Sequence, residues 1–332
     1  MMNTKRRMVL RSAQLGLAVW AALAAPGPAL AQEAWPTKPI SLLVGFSPGG
    51  GTDLIARQIA PRLSELLKQT VVVENRAGAS GAIASAAVAK ARPDGYTLLL
   101  GHVSSNAMVP AIKRDLAYKA DSDFTAITTI GSVPQVVVVP RSFPAKTLQE
   151  FIDLARAKPG GLNYASSGAG TQQHFGAELF QQATGTTMVH IPYKGSGAAL
   201  ADLMAGQVNV NFDTVPTVLQ QIRAGSLRAL AVTTRERVSS LPDVPTVMES
   251  GVPDFEIGAW YMLMGPAGMP RPIVDKLSEA INATLQTPEV RKALMDLGTE
   301  IAGGTPEQAE AYLQSEIRRW GKLASDKKIA PE

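Results

Sequence analysis

The feature that most constrains the fold is a regular alternation, after residue 38, of short apolar runs with longer amphipathic segments. The runs at 40–46 and 96–101 are rich in aliphatic residues, and the segment 52–69 places Ile55 and Ile59 on one helical face. Apolar runs of this kind are typical of strands buried on both faces of a parallel sheet, with helices as the crossover connections. The sequence therefore predicts an α/β fold with mostly parallel sheets and flanking helices.

A second set of alternating elements begins near residue 134, and a chain of 332 residues is long enough for two domains. After residue 270 come three helical patterns that each begin near a proline, as helices often do. We expect this terminal group to pack back on the first set, so that the chain crosses twice between two lobes. The predicted boundaries are 36–133 plus 257–332 for lobe 1 and 134–256 for lobe 2.

The first 31 residues have the pattern of a secretory signal peptide. Four Lys and Arg residues precede or border an apolar run at 15–25, and the triplet 29–31 (Ala-Leu-Ala) has the small-x-small form of a cleavage site. The apolar run is shorter than the roughly 18 to 20 residues that span a bilayer. Cleavage between Ala31 and Gln32 would release an exported chain. The pair Arg6-Arg7 fits a twin-arginine signal as well as a general secretory one, so the export route stays open.

The charge and cysteine content exclude several classes of function. Of the 32 Lys and Arg residues, four lie in the signal segment, and none of the 28 Asp and Glu residues does, so the remainder is balanced at 28 against 28. Without a basic excess, no nucleic-acid partner is expected. The chain has no cysteine, which excludes disulfides, thiolate metal sites and the lipidated cysteine of a lipoprotein.

The sequence has three histidines, and no pair of them has metal-ligand spacing with carboxylates. We therefore predict no metal, and no pattern indicates a cofactor. His102 and His190 are interpreted as structural histidines.

Three loops share one arrangement: an apolar strand, a run of small residues, and then a helix. They are FSPGGGTD (46–53), ASSGAGTQQH (165–174) and PYKGSGAAL (192–200). Glycines let the chain turn with its N–H groups pointing outward, and the start of the following helix adds a partial positive charge. Because the first two loops fall in different predicted lobes, two anion-binding helix starts are expected to face one cleft.

Residues 45–49 also match the G-x-S-x-G pattern of a hydrolase nucleophile elbow. In such an elbow the N–H of the residue after the serine helps to form the oxyanion hole, but here that residue is Pro48, which has no N–H. No motif places a histidine as the general base. The pattern favours a loop hydroxyl at Ser47, and an exported serine hydrolase is the disfavoured alternative.

Several polar residues in or near these loops have both a structural and a ligand-binding interpretation. His174 can donate to a bound anion, or it can cap and pack its helix. Asp53 lies in the first turn of a helix, where capping is the simpler role. Asp213 follows a strand and either orients a polar ligand group or starts a turn. Tyr193 and Lys194 lie in the third loop, where the lysine can pair with a carboxylate or face solvent.

Five ordered blocks of the chain resemble the tripartite tricarboxylate transporter substrate-binding proteins, also called Bug or TctC proteins. The blocks are WPTKPISLLVGFSPGGGTDLIARQIAPRL, VVVENRAGASGAIASAAVAKARPDGYTLLLG, LNYASSGAGTQQH, IPYKGSGAALADLMAGQV and LPDVPTVMESGVPDFE. The resemblance implies a type II periplasmic binding protein, in which two α/β lobes joined by a two-strand hinge close on a small organic acid. The implied cargo is a di- or tricarboxylate, an acidic amino acid or an aromatic carboxylate. The implied partner is a membrane permease with large and small integral subunits.

The resemblance also implies the binding residues. In the family, the loops matching 46–53 and 166–174 hold a carboxylate with the help of water molecules. The third loop and the strand end at Asp213 are weaker candidates for the far end of the ligand. The implied set is Phe46, Ser47, Gly49, Gly50, Thr52, Asp53, Ser167, Gly170, Thr171, His174, Tyr193, Lys194, Gly195 and Asp213.

Family members often have proline where this chain has Ser47, so the role of that hydroxyl is open. The resemblance implies a protein of the periplasm with no catalytic residue. The sequence does not give the oligomeric state, and a monomer is the default expectation for a shuttle. Presentation of the bound acid to a membrane sensor kinase is an alternative that the sequence does not separate from transport.

Overall fold

The computed structural model describes residues 35–327 and residue 329. The predicted signal peptide and its cleavage site lie outside the described residues. Among the helices of the described part, none is both long enough and apolar enough to cross a membrane.

The described residues form ten strands and ten α-helices, and the predicted α/β class is confirmed. The strands are β1 (Ile40–Val44), β2 (Val71–Asn75), β3 (Thr97–His102), β4 (Phe124–Pro140), β5 (Asn163–Ser166), β6 (Val189–Pro192), β7 (Val210–Thr214), β8 (Leu227–Val232), β9 (Gly258–Pro266) and β10 (Glu300–Gly303). The helices are α1 (Gly51–Leu67), α2 (Ala82–Ala89), α3 (Val109–Ile112), α4 (Leu148–Ala157), α5 (Gln172–Thr184), α6 (Ser196–Met204), α7 (Val215–Arg223), α8 (Arg271–Gln286), α9 (Pro288–Asp296) and α10 (Pro306–Lys327).

The strands follow the order β2-β1-β3-β9-β4-β7-β5-β6, and β8 and β10 also pair with β4. The βαβ units give parallel pairs, β1 with β2 and β3 on one side and β5 with β6 and β7 on the other. Every antiparallel pair involves β4 or β9. The parallel pairing expected from the apolar runs therefore holds within each βαβ group, and antiparallel strands join the two groups.

The long strand β4 belongs to two sheets. Its residues 124–134 pair with β9 in the first sheet, and its residues 135–140 pair with β7 and β8 in the second. We use "first sheet" for β1, β2, β3, β9, β10 and the start of β4, and "second sheet" for β5 to β8 and the end of β4. The partner of β4 changes between two adjacent residues: Pro134 is the last residue paired with β9, and Gln135 is the first paired with β7.

Local sequence explains how the elements begin and end. Helix α1 buries Ile55, Ile59 and Leu63, which recur at the helical period, and it ends at Lys68 in the left-handed region at φ 55°. Helix α4 is capped by Thr147, whose Oγ1 accepts from the N–H of Glu150 at 3.2 Å, and the Glu150 carboxylate accepts from the N–H of Lys146, the residue before the N-cap.

The C-terminal elements contact the first sheet, as expected for a terminal helical group. Helices α8 and α9 pack on α1, and α10 packs on β4. Between α9 and α10 the short strand β10 pairs with β4 near Gly131, where a side chain would meet the carbonyl of Glu300 at 2.3 Å. Sequence patterns did not indicate β10, because four residues are too few to show a period.

Candidate functional site

The start of α1 presents free backbone donors. Its N-cap is Gly50, which has extended backbone and no side chain to cap the helix. The N–H of Gly51 donates to Thr217 Oγ1 at 3.0 Å. Among the described residues no acceptor bonds the N–H groups of Thr52 and Asp53. A helix start with two unpaired N–H groups and the positive end of the helix dipole is a binding site for an anion.

The Asp53 carboxylate holds the loop that precedes this helix start. It accepts from the N–H of Gly49 at 3.0 Å, from Asn75 Nδ2 at 2.9 Å and from the Arg57 guanidinium at 3.0 Å. Burial alone would raise the pKa of Asp53, but the hydrogen bonds from Arg57, Gly49 and Asn75 outweigh it and hold the pKa below its ordinary value. The structure thus assigns Asp53 a loop-positioning role, in line with the capping interpretation.

The second glycine loop differs from the first, because its amides are bonded within the protein. The N–H of Ser167 donates to Gln173 Oε1, that of Gly168 to Ser166 Oγ at 3.0 Å, and that of Thr171 to the carbonyl of Gly168 at 3.2 Å. The N–H of Gly170 donates to His174 Nδ1 and that of Gln172 to Ser104 Oγ, both at 3.0 Å. The two helix starts therefore differ in their donors: α1 has two unbonded N–H groups, whereas most N–H groups of the second loop are bonded within the protein.

A small cavity joins the start of α1 to both sheets. Its volume is about 10 Å³, which is close to the space that one water molecule needs. Larger cavities lie away from the glycine loops, such as one of about 490 Å³ beside Met269 and Val274. We select the small cavity on its chemistry rather than its size. Its lining residues are Phe46, Gly50, Gly51, Thr52, His102, Ser167, Gln172, Ser196, Thr214 and Tyr261.

The cavity is lined by neutral donors and contains no Lys or Arg. Burial lowers the pKa of His102 to about 3, so its imidazole is neutral at pH 7. Its Nδ1 accepts from the N–H of Ser104 at 3.1 Å, and its ring lies 5.0 Å from the ring of Phe46 and 5.1 Å from that of Tyr261. A ligand oxygen in this cavity would meet amide and hydroxyl donors and an aromatic wall, but no formal positive charge.

Four of the predicted residues line this cavity: Phe46, Gly50, Thr52 and Ser167. Sequence reasoning missed six lining residues. Three of them, Gly51, Gln172 and Ser196, lie within the glycine loops but were not selected there, and the other three lie outside those loops. The six are Gly51, His102, Gln172, Ser196, Thr214 and Tyr261.

The remaining predicted residues surround the cavity and hold its loops. Ser47 Oγ donates to the carbonyl of Lys194 at 3.2 Å, which brings the first and third loops together. Gly195 packs against Ser47, since a side chain at position 195 would meet the Ser47 nitrogen at 2.8 Å. Tyr193 donates to Asp202 Oδ2 at 2.6 Å, and burial raises the pKa of its hydroxyl to about 12.

Two further predicted residues are buried in polar networks. His174 accepts from Gly170 through Nδ1 and stacks on His190 with ring centroids 4.5 Å apart. Asp213 is fully buried at the end of β7, where it accepts from the N–H of Thr214 at 2.7 Å and from Asn211 Nδ2 at 2.9 Å. Burial raises the pKa of Asp213 to about 6, against the lowering effect of hydrogen bonds from the Thr214 N–H and from the side chains of Ser196, Gln173 and Thr217.

Comparison with known proteins identifies the family and the fold of this chain. A family profile described as tripartite tricarboxylate transporter family receptor matches residues 55–329. The periplasmic binding protein BugD is 33% identical, with a TM-score of 0.86 over 89% of this chain and 99% of that one.

Two solved relatives from Rhodopseudomonas palustris contain dicarboxylates. Rpa4515 with adipate is 38% identical, with a TM-score of 0.87 over 90% of this chain and 100% of that one. MatC with bound malate is 34% identical, with a TM-score of 0.84 over 87% of this chain and 99% of that one.

These neighbours are solute-binding proteins, so the hydrolase alternative for Ser47 is not supported and the expectation of a non-enzymatic protein is confirmed. The predicted periplasmic binding protein fold is confirmed as well. The chain belongs to the tripartite tricarboxylate transporter receptor family, the Bug or TctC proteins.

Proposed function

We propose that this chain captures a small organic carboxylate at the start of α1 and delivers it to a tripartite tricarboxylate-type permease. The observation that carries the proposal is the pair of unbonded N–H groups at Thr52 and Asp53, at a helix start that lines a cavity shared by both sheets. Fixed amides donate to an anion without any reactive side chain, so the cargo leaves chemically unchanged. The binding of adipate and malate by Rpa4515 and MatC supports a dicarboxylate as the first class to test.

Four to six charge-assisted hydrogen bonds at about 1.5 to 3 kcal/mol each, less several kcal/mol for association, are compatible with micromolar or tighter binding. Such an affinity suits a receptor that must also release its ligand. The site residues of this proposal are those of the three loops, with Ser47, Asp53, His174, Gly195 and Asp213 acting on loop geometry.

The proposal includes export, cleavage between Ala31 and Gln32, and a monomeric shuttle in the periplasm. It also includes closure of two lobes, 36–133 plus 257–332 and 134–256, about segments near 130–136 and 252–260. The change of partner along β4 between Pro134 and Gln135 supports a crossover at the first segment. At the second segment, the N–H of Ile257 bonds the carbonyl of Thr233 at 3.1 Å, directly before β9 begins.

One substitution tests the helix start directly. Gly50 has the extended backbone of an N-cap at φ −79° and ψ 164°, and a Cβ atom there would meet no atom closer than 3.5 Å. In the variant Gly50→Asp the new carboxylate reaches the N–H groups of Thr52 and Asp53, as N-cap aspartates do. It would therefore occupy the donors proposed for the ligand and would also stabilise the helix. Gly50→Ala is the matched control, because it adds the same Cβ without an acceptor.

The measurement is calorimetric titration and thermal shift of the chain from Gln32 onward with malate, adipate, citrate, an acidic amino acid, an aromatic acid and a neutral sugar. A ligand at 100 times its dissociation constant adds about 2.7 kcal/mol to stability. We expect an acid to bind the parent and Gly50→Ala, and Gly50→Asp to lose that binding while its melting temperature rises. A parent that binds only the sugar, or a Gly50→Asp variant that still binds the acid, contradicts the proposal.

A further inference from the structure

We propose that Thr217 and Ser104 are positioning residues of this ligand site, each supplying a hydroxyl that holds the helix start of the opposite sheet in the closed arrangement. The inference rests on the proposed function. It adds two residues that lie outside the three glycine loops and assigns them a joint role in affinity.

The first contact is made on the start of α1. Thr217 lies in the first turn of α7, which connects β7 and β8 of the second sheet, and its Oγ1 accepts from the N–H of Gly51 at 3.0 Å. Thr217 is almost fully buried, and its hydroxyl also lies 3.0 Å from Thr214 Oγ1. A side chain at position 51 would meet Thr214 Oγ1 at 2.7 Å and the Tyr261 hydroxyl at 2.9 Å, so only glycine fits among these hydroxyls.

The second contact mirrors the first. Ser104 follows β3 of the first sheet, and its Oγ accepts from the N–H of Gln172, the first residue of α5, at 3.0 Å. The same hydroxyl lies 2.8 Å from Gln172 Oε1, to which it donates. Ser104 is fully buried. Each of the two helix starts thus receives one hydroxyl from the other sheet, at the first N–H group of the helix.

The Thr217 hydroxyl and the proposed ligand bond different N–H groups of the same helix start. An α-helix leaves its first N–H groups without intrahelical acceptors. In α1 the first is taken by Thr217, and those of Thr52 and Asp53 remain for a carboxylate. The hydroxyl and the ligand therefore bond different N–H groups and do not compete for a donor, although the cavity, which here has room for about one water molecule, must widen to admit the cargo. Apparent affinity then depends on how fully the closed arrangement is populated.

A third hydrogen bond also joins residues of the first sheet's loops to the second glycine loop, and it supports the same inference. Ser80 Oγ donates to the carbonyl of Ala169 in the second glycine loop at 2.6 Å. Ser80 lies in a run of four residues with positive φ, from Gly78 to Gly81, and two of these are not glycine: Ala79 at 47° and Ser80 at 57°. Backbone of this kind costs free energy and persists where surrounding contacts maintain it. Here one of the contacts that maintain the strained backbone is the hydrogen bond from Ser80 to Ala169, which joins the two sheets.

The test compares Thr217→Val, which removes the hydroxyl at nearly constant volume, with Thr217→Ser, which retains it. Ser104→Ala is made alone and in combination with Thr217→Val. The probe is whichever of malate, adipate and citrate binds the parent most tightly, and the readouts are the calorimetric dissociation constant, the dissociation rate, and hydrogen exchange of the Gly51 amide without ligand. A net hydrogen bond of the usual strength predicts roughly 2- to 10-fold weaker binding for Thr217→Val, mostly through faster release, with rescue by Thr217→Ser.

The outcomes are distinguishable. Absence of acid binding by the parent contradicts the proposed function. Binding by the parent with unchanged or tighter binding by Thr217→Val overturns this inference alone, because the hydroxyl would then be neutral or a competitor of the ligand. A Gly51 amide that exchanges as fast in the parent as in Thr217→Val overturns it as well, without any ligand. Weaker binding with faster exchange, restored in Thr217→Ser, supports it.

Discussion

The N–H of Gly49 donates to Asp53 Oδ2 at 3.0 Å, so the third residue of helix α1 fixes the loop that leads into that helix. Asp53 is buried beside Asn75 and Arg57, and its charge is neutralised by the Arg57 guanidinium before any ligand arrives. A carboxylate therefore lies close to the proposed carboxylate site, and its own charge is directed to the loop and to Arg57.

Asp53→Asn is expected to destabilise the protein at pH 7 by about 1.5 to 3 kcal/mol, the usual contribution of hydrogen bonds to a charged group. A carboxyl whose pKa is lowered by folding stabilises above its unfolded pKa and loses that contribution as pH falls through the folded value. In urea unfolding, the difference from the parent should therefore shrink as the pH falls below the ordinary value of 3.8 and through the lowered folded-state pKa. Asp275→Asn is the matched control, because it breaks an exposed pair with Arg271 at the same four-residue spacing. An equal loss of unfolding free energy in both variants would contradict the role of Asp53 in holding the loop before α1.

Gly197→Ala is expected to keep the two sheets apart. A Cβ at Gly197 would lie 2.5 Å from the carbonyl of Pro48, and backbone cannot yield as a flexible side chain does. Since alanine also favours the helix in which Gly197 lies, the variant should fold as stably as the parent but bind acid at least tenfold more weakly. Small-angle scattering with saturating acid should show a larger radius of gyration than that of the parent. Gly321→Ala, where a Cβ meets no atom within 4 Å, should leave both properties unchanged.

Asp213 is expected to make stability fall with rising pH. Its pKa is raised by burial to about 6, so its stabilising contribution is complete below the unfolded value near 4 and is lost as pH rises through about 6. A pKa that differs by one between the folded and unfolded states corresponds to about 1.4 kcal/mol, which gives a change on the order of 3 kcal/mol. Urea unfolding of Asp213→Asn between pH 4 and pH 7 should lack this fall. A parallel pH dependence in variant and parent would show that Asp213 does not titrate in this range.

Glu316 is expected to be essential for the packing of α10. Its Oε2 accepts from the indole N–H of Trp260 at 3.0 Å and of Trp320 at 2.8 Å, and all three residues are buried. Glu316→Ala leaves two buried donors without an acceptor, so we expect a loss of about 3 to 5 kcal/mol and a changed tryptophan fluorescence spectrum. The exposed Glu279, on α8, provides the control variant Glu279→Ala, which should be within about 0.5 kcal/mol of the parent.

Sequence patterns predicted the helices and strands that have a clear local pattern, and they missed those that depend on pairing with distant strands. The helix over 52–69 has a clear helical period and the strand before it is a continuous apolar run, and the structure places them at Gly51–Leu67 and Ile40–Val44. The strand β4 was predicted only from residue 134, although it begins at Phe124. Its first ten residues mix Thr, Gly and Ser with apolar residues, and they form a strand because β9 and β10 pair with them.

The candidate site was predicted in part for a similar reason. The glycine loops could be recognised in the sequence because clustered glycines indicate tight turns and backbone conformations that other residues avoid. Thr217 and Ser104 do not, because each acts on a helix start more than 60 residues away along the chain. The hydrogen bonds of the second loop's N–H groups were also not predictable, since their acceptors on Gln173 and His174 depend on the orientation of the helix that follows.

The absence of Lys and Arg from the cavity lining has a consequence for the loaded protein. An acid that enters adds its own negative charge to the complex, and no Lys or Arg side chain in the lining compensates that charge locally. The part of the affinity that comes from neutral donors should change little with ionic strength. In the proposed delivery to a permease, the loaded receptor would therefore differ from the empty one in the electrostatic potential at this cavity.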